Sequence, residues 1–132
     1  MTTDEYKRRL EIFRNLCQGY LVEKKLEEDL EKLYPQLKNA EFSRDTFRVD
    51  LSDEYRPGDL ELYQLLRENT DKVEESFKKI RARFGDQPAD ILWEIFVECV
   101  SQEETGKKYN LSRRQIQYAE GKWLKEILFE GQ

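Results

Sequence analysis

The fold of this chain is decided by residues 101–120, SQEETGKKYNLSRRQIQYAE. Ser101 is a favoured helix N-cap, and Glu104 follows three residues later, which is the spacing of a capping box. This pair predicts that a short helix begins at once and runs over Gln102–Tyr109.

A sharp turn is predicted directly after this helix. Asn110 tolerates the left-handed backbone conformation better than any residue except glycine. Ser112 can then cap a second helix, over Arg113–Leu128. Two helices that cross steeply need a small residue where their backbones approach, and Gly106 meets that need. The pattern is typical of a helix-turn-helix unit.

Apolar residues at helical spacing predict which side of the second helix faces the core. We expect an inward face of four residues, bordered by Leu124: Ile116, Ala119, Trp123 and Ile127. Tyr109 and Leu111 are expected to fix the crossing of the two helices. Trp93 and Trp123 are predicted core anchors, because large aromatic residues at helical spacing usually pack inside.

The N-terminal half of the second helix in such a unit stays free to contact base edges. Here it carries Ser112, Arg113, Arg114, Gln117 and Tyr118. Arginine can bind guanine bidentately and glutamine can bind adenine, whereas Tyr118 has two options, a thymine methyl group or the edge of the core. Four lysines are candidates for phosphate contacts: Lys107, Lys108, Lys122 and Lys125. These residues predict double-stranded DNA as the partner.

The segment 103–116, EETGKKYNLSRRQI, resembles the helix-turn-helix of sigma-factor region 4. It is also similar to the phage late-transcription regulators of the RinA and ArpU type. Those proteins are similarly short, with helices and a loop ahead of a C-terminal motif of this kind. The resemblance covers about 40 residues, and it implies binding to promoter DNA and contact with RNA polymerase.

One further helix is predicted immediately upstream of the two. Pro88 suits the first turn of a helix, and apolar residues then recur with helical spacing to about Val100. Together with the two helices described above, it gives a three-helix unit over residues 88–129. Cys99 belongs to this apolar series, and Cys17 to an earlier one, so both cysteines are expected to pack as small apolar groups.

The first 85 residues divide into three predicted segments. Residues 1–38 form an N-terminal helical segment, with apolar spacing from Asp4 to Leu37, in which Gly19 either breaks the helix or is tolerated within it. Residues 39–58 form a loop or linker with a short extended piece at 47–51. Residues 59–85 form a central helical segment that ends at Gly85. The predicted fold class is therefore all-α.

Two residues are candidate caps in the central segment. Asp59 stands at its start, and Thr70 could begin a second helix within it.

Charge is distributed unevenly along the 132 residues. The net charge is −5, but residues 105–125 carry six basic side chains against Glu120 alone, while residues 1–100 carry a net −6. Such asymmetry suggests one surface for an anionic polymer and another for solvent or a protein partner. The alternative to DNA binding is a non-enzymatic interaction module, an inhibitor or adaptor such as an anti-CRISPR or anti-sigma protein, that uses the acidic helical surface.

Enzymatic chemistry has little support in the sequence. Histidine is absent, which removes the commonest general base and metal ligand, and two cysteines alone do not make a zinc site. No phosphate-binding glycine loop or nucleophile motif is present. We therefore expect no enzyme activity, no cofactor and no metal.

The apolar runs are too short to cross a bilayer and the N-terminus lacks the apolar core of a signal peptide, so a cytoplasmic protein without a membrane partner is expected. A homodimer is a further possibility, because one helix-turn-helix buries little surface on DNA.

Overall fold

The computed structural model describes residues 3–39 and 55–128, which are α-helical apart from short turns and contain no strand. Five α-helices follow one another: α1 Thr3–Leu33, α2 Asp59–Phe84, α3 Asp86–Phe96, α4 Gln102–Tyr109 and α5 Arg113–Leu128. The predicted all-α class is confirmed. The extended piece expected at 47–51 lies outside the described residues. None of the described helices is long and apolar enough to span a membrane.

Helix α1 passes through Gly19 without a break. Of the two options that the sequence left open, the continuous helix is the one observed. The helix ends at Leu33, earlier than the predicted Leu37, and a 3-10 turn follows over Pro35–Asn39. Proline lacks an N–H and disfavours helical geometry in the residue before it, so Pro35 accounts for the early end.

Helix α2 is also continuous, and Thr70 lies buried in its middle. The Thr70 hydroxyl donates a hydrogen bond to Glu27 Oε2 at 2.9 Å. Thr70 therefore does not begin a second helix, contrary to that prediction. Asp59 is the first residue of α2, and its carboxylate accepts a 2.7 Å hydrogen bond from the Tyr34 hydroxyl. Gly85, with φ 98°, separates α2 from α3.

Helix α3 contains Pro88 in its first turn, as expected, but it ends at Phe96 and not near Val100. The backbone N–H groups of Val97 and Glu98 both donate to the carbonyl of Trp93. Cys99 then adopts a left-handed conformation with φ 58°. That conformation stops the helix and leaves the Cys99 side chain exposed, so only Cys17 packs as predicted.

The described chain divides into two compact units. The first comprises residues 3–19 and 73–128, and the second comprises residues 20–39 and 55–72. In the first unit, aromatic rings from three helices meet: Phe13 of α1 lies 6.1 Å from Phe77 of α2 and 5.5 Å from Phe96 of α3, between ring centroids. Phe77 also meets Trp93 edge to face at 5.0 Å. Segments of α1 and α2 thus share a core with α3.

Helix α5 joins this first unit through the N-terminal turns of α1. Arg9 Nη1 donates to the carbonyl of Leu128 at 2.7 Å, and Lys125 Nζ lies 5.5 Å from the ring centroid of Tyr6. The three C-terminal helices are therefore supported by the start of the chain.

The second unit has its own apolar cluster, formed by Leu30, Leu37, Tyr55, Leu60, Tyr63 and Leu66. Beside it lies Glu27, which is only 1% exposed. Its carboxylate is paired with Arg67 at 3.0 Å and with Lys24 at 3.6 Å, and it accepts the hydrogen bond from Thr70. Because a buried carboxylate is costly without partners, this set of contacts stabilises the pairing of α1 with α2 in this unit.

Candidate nucleic-acid interface

Helix α4 begins as the sequence predicts. Ser101 has an extended backbone (φ −64°, ψ 152°), and its hydroxyl accepts a hydrogen bond from the N–H of Glu104 at 3.1 Å. This contact satisfies one of the unpaired N–H groups at the start of the helix.

The turn between α4 and α5 has the features that were predicted for it. Asn110 is left-handed (φ 57°, ψ 40°), and the N–H of Leu111 donates to the carbonyl of Gly106 at 2.8 Å. The N–H of Asn110 reaches the carbonyl of Lys107 at 3.5 Å, so the pair of bonds forms a Schellman motif. A Cβ on Gly106 would lie 2.4 Å from the carbonyl oxygen of Leu111, which is too short for any Cβ contact.

Helix α5 begins with a reciprocal capping box. The hydroxyl of Ser112 accepts from the N–H of Gln115 at 3.1 Å, and Gln115 Oε1 accepts from the N–H of Ser112 at 2.8 Å. Sequence reasoning identified Ser112 as the cap but overlooked Gln115, although the Ser-x-x-Gln spacing is itself the signal for such a box. The start of α5 is therefore held rigidly.

The buried face of α5 differs from the predicted one. Ile116 and Leu124 are fully buried, and Glu120 between them is 8% exposed, whereas Ala119, Trp123 and Ile127 are half-buried. Leu124 thus lies at the centre of the face and not at its border. The two sets of residues differ by a small rotation about the helix axis, which the spacing of apolar residues alone does not resolve. Trp123 still contacts the core edge, 6.4 Å from the Phe84 ring.

Glu120 is a feature of this candidate site that sequence reasoning missed. Its Oε2 accepts a 2.9 Å hydrogen bond from Gln102 Nε2 on α4, and Gln102 Oε1 accepts a 3.0 Å bond from Gln117 Nε2. Burial raises the pKa of the Glu120 carboxyl, while the Gln102 hydrogen bond and the charge of Arg14 oppose that rise. Gln102 lies 15 residues from Gln117 and 18 residues from Glu120 in sequence, so no local motif predicts these contacts.

The predicted base-contacting residues all lie exposed at the start of α5: Ser112, Arg113, Arg114, Gln117 and Tyr118. Tyr118 is 78% exposed and so does not pack at the core edge. It lines an open depression of about 620 Å³ together with Ser112, Arg114 and Gln115. Helical periodicity places Arg114, Tyr118 and Lys122 along one outward stripe, and Arg113 and Gln117 on the side toward α4.

The four predicted phosphate-binding lysines have different surroundings. All four are exposed, and Lys107 Nζ lies 4.0 Å from Glu103. Lys108 instead bonds Glu94 of α3, and this contact raises the Lys108 pKa. In sequence these lysines flank the start of α5 on both sides, and with Arg113 and Arg114 they make residues 107–125 a basic segment whose one acidic residue, Glu120, is buried.

Comparisons of the chain with protein-family models, with curated proteins and with solved structures yield no match.

Proposed function

We propose that α4 and α5 form a DNA-binding helix-turn-helix and that the protein is a sequence-specific transcription regulator. The observation that carries the proposal is the tight turn at Gly106 and Asn110, followed by a capped helix whose first turns expose two arginines. A helix presented in this way fits the major groove, which admits one α-helix.

The exposed side chains supply both kinds of contact that DNA recognition needs. Arg113 and Arg114 can read guanine, and Gln117 and Tyr118 offer an amide and an aromatic ring to neighbouring base edges. Lys107, Lys122 and Lys125 can position the helix through phosphates. We infer that a second copy of the chain or RNA polymerase supplies the remaining contact area at a promoter.

A selection experiment tests the proposal. The full chain is incubated with a pool of random duplexes at low salt, bound DNA is recovered and amplified, and the enriched sequence is measured by fluorescence anisotropy. We expect one enriched motif, and a palindromic motif would indicate a dimer. Absence of any binding at low salt would refute the proposal.

Two substitutions test the site. Arg113→Ala and Arg114→Ala should each weaken binding to the selected duplex by roughly fivefold or more, because each removes a base contact worth about 1–3 kcal/mol. The melting temperature should stay unchanged, since both side chains are exposed. Arg8→Ala is the matched control: it removes the same charge from an exposed position on α1. If both interface variants bind like wild type, the site assignment is wrong.

A protein-interaction role is favoured by a different observation, in the second unit. Most of the large apolar side chains that are exposed in the described part of the chain lie there: Leu21, Val22, Leu26, Leu33, Leu62 and Leu65. Helical spacing places Val22 beside Leu26 and Leu62 beside Leu65, and adjoining exposed apolar residues favour a protein partner. A stoichiometric partner captured by wild type but lost in Leu62→Ser/Leu65→Ser, together with no DNA binding at low salt, would favour this role.

A further inference from the structure

A buried carboxylate in the apolar stripe of α5 requires an explanation. Glu120 lies between Ile116 and Leu124, which are both 0% exposed, and is itself only 8% exposed. Burying a carboxylate costs free energy unless it is paired, and leucine would fill the stripe without that cost. What distinguishes the carboxylate from any apolar or amide side chain here is that, once ionised, it can only accept hydrogen bonds.

That property sets the direction of the hydrogen bonds that leave Glu120. Gln102 must turn its Nε2 toward the carboxylate, at 2.9 Å, and therefore turns its Oε1 the other way. Gln117 must then turn its Nε2 toward that oxygen, at 3.0 Å. The amide of Gln117 is thereby oriented with its nitrogen toward α4, where one of its two N–H groups is engaged by Gln102, and with Oε1 turned the other way as its free acceptor.

We propose that Glu120 is a positioning residue for base recognition: acting through Gln102, it holds the Gln117 amide with its oxygen available, and so selects a base that presents an amino group in the major groove. Those bases are adenine, through N6, and cytosine, through N4. This inference rests on the proposed DNA-binding function.

Exchange of the carboxylate for an amide should remove the selection. In Glu120→Gln the new side chain can either donate to Gln102 or accept from it, so both directions of the hydrogen-bond chain become available. In the reversed direction Gln117 presents its nitrogen, which suits the acceptors of guanine and thymine. The variant should therefore accept all four bases at the position where wild type accepts two.

The test compares base preference at one position among four full-length proteins at pH 8. Gln117→Ala first identifies the base pair that Gln117 reads, as the position where preference disappears. Wild type should prefer adenine or cytosine there by roughly fivefold, the effect of one hydrogen bond. Glu120→Gln should lose this preference and keep the rest of the motif. Glu126→Gln is the matched control: it removes the same charge from an exposed position on α5 and should keep the preference.

Two results in this assay would overturn the inference. One is an unchanged adenine or cytosine preference in Glu120→Gln. The other is a wild-type preference for guanine or thymine at the Gln117 position.

A measurement without DNA separates failure of the inference from failure of the proposed function. Side-chain amide resonances of ¹⁵N-glutamine-labelled protein are assigned with Gln102→Ala and Gln117→Ala. Glu120→Gln should shift the Gln117 amide resonance, and Glu126→Gln should not. If the Gln117 resonance shifts but the protein binds no DNA, the proposed DNA-binding function is refuted, and the base selection is refuted with it. If the resonance does not shift but the protein binds a specific motif, only the inference about Glu120 is refuted.

Discussion

At the scale of single residues, Gly106 and Asn110 determine how the chain turns between α4 and α5. Each has a strictly local reason: Gly106 lies against the backbone of Leu111, and Asn110 holds a left-handed conformation. Local requirements of this kind can be predicted from sequence, and both were. The hydrogen bonds among Glu120, Gln102 and Gln117 could not be, because they form only when α4 and α5 pack together.

Alanine at Gly106 should destabilise the first unit. Its Cβ would lie 2.4 Å from the carbonyl oxygen of Leu111, so the backbone of the turn must shift, at a cost of about 1–3 kcal/mol. Gly121→Ala is the control, because a Cβ there has no heavy atom within 4 Å and glycine is a poor helix former; it should stabilise by about 1 kcal/mol. Urea unfolding of both variants measures the difference. Equal stabilities would contradict the close approach at Gly106.

The raised pKa of Glu120 predicts a pH effect on folding. A carboxyl whose folded-state pKa is raised binds its proton more tightly in the folded chain. Its contribution to stability is therefore full below the ordinary carboxyl pKa and is lost as the pH rises through the raised value. Glu120→Gln should be more stable than wild type at pH 7, with the advantage shrinking toward pH 4. Thermal unfolding of wild type and Glu120→Gln across this range checks it, and an advantage that does not change with pH would contradict it.

At the scale of helices, the bounds of α4 and α5 match the sequence prediction because each start has a side-chain cap. The predicted ends of α1 and α3, at Leu37 and near Val100, lie about four residues beyond the observed ends at Leu33 and Phe96. At α1 the sequence does contain a stop signal, Pro35, which the leucine spacing used for the prediction does not take into account. At α3 the stop is a left-handed Cys99, which no sequence rule favours.

The orientation of α5 can be tested by removing side chains from its two candidate faces. Leu124→Ala should cost about 2–5 kcal/mol, because Leu124 is fully buried. Ile127→Ala removes a similar volume from a half-buried position and should cost clearly less. Chemical denaturation of the two variants measures both costs. A larger loss for Ile127→Ala would restore the face that the sequence predicted.

At the scale of the whole molecule, the charge pattern supports a basic contact surface on an acidic chain. Five exposed cations belong to the proposed interface: Lys107, Arg113, Arg114, Lys122 and Lys125. The sixth basic side chain of this region, Lys108, is also exposed, but its ammonium group is hydrogen-bonded to Glu94 of α3, whereas Lys107 lies at the longer distance of 4.0 Å from Glu103. DNA affinity should therefore depend on few phosphate contacts, despite the net charge of −5.

This count predicts the salt dependence of binding. If each of the five exposed cations neutralises one phosphate, log affinity should fall with log salt with a slope no steeper than about −4.5. Lys122→Ala should reduce the slope by about 0.9, whereas Lys108→Ala should change it little, since Glu94 already holds that lysine. Anisotropy titrations between low and moderate salt give the slopes. Equal changes for the two variants would contradict the distinction between paired and free lysines.

The all-α class, the limits of α4 and α5, and the turn between them could all be predicted from the sequence. Caps, glycine and asparagine act within a few residues of their own position, so their effect can be inferred from local sequence. The packed structure was needed to establish which face of α5 is buried, that α1 and α2 share the core of the C-terminal helices, and that Glu120 orients Gln117. Those features depend on partners distant in sequence, and burial and hydrogen-bond direction exist only once the helices have packed.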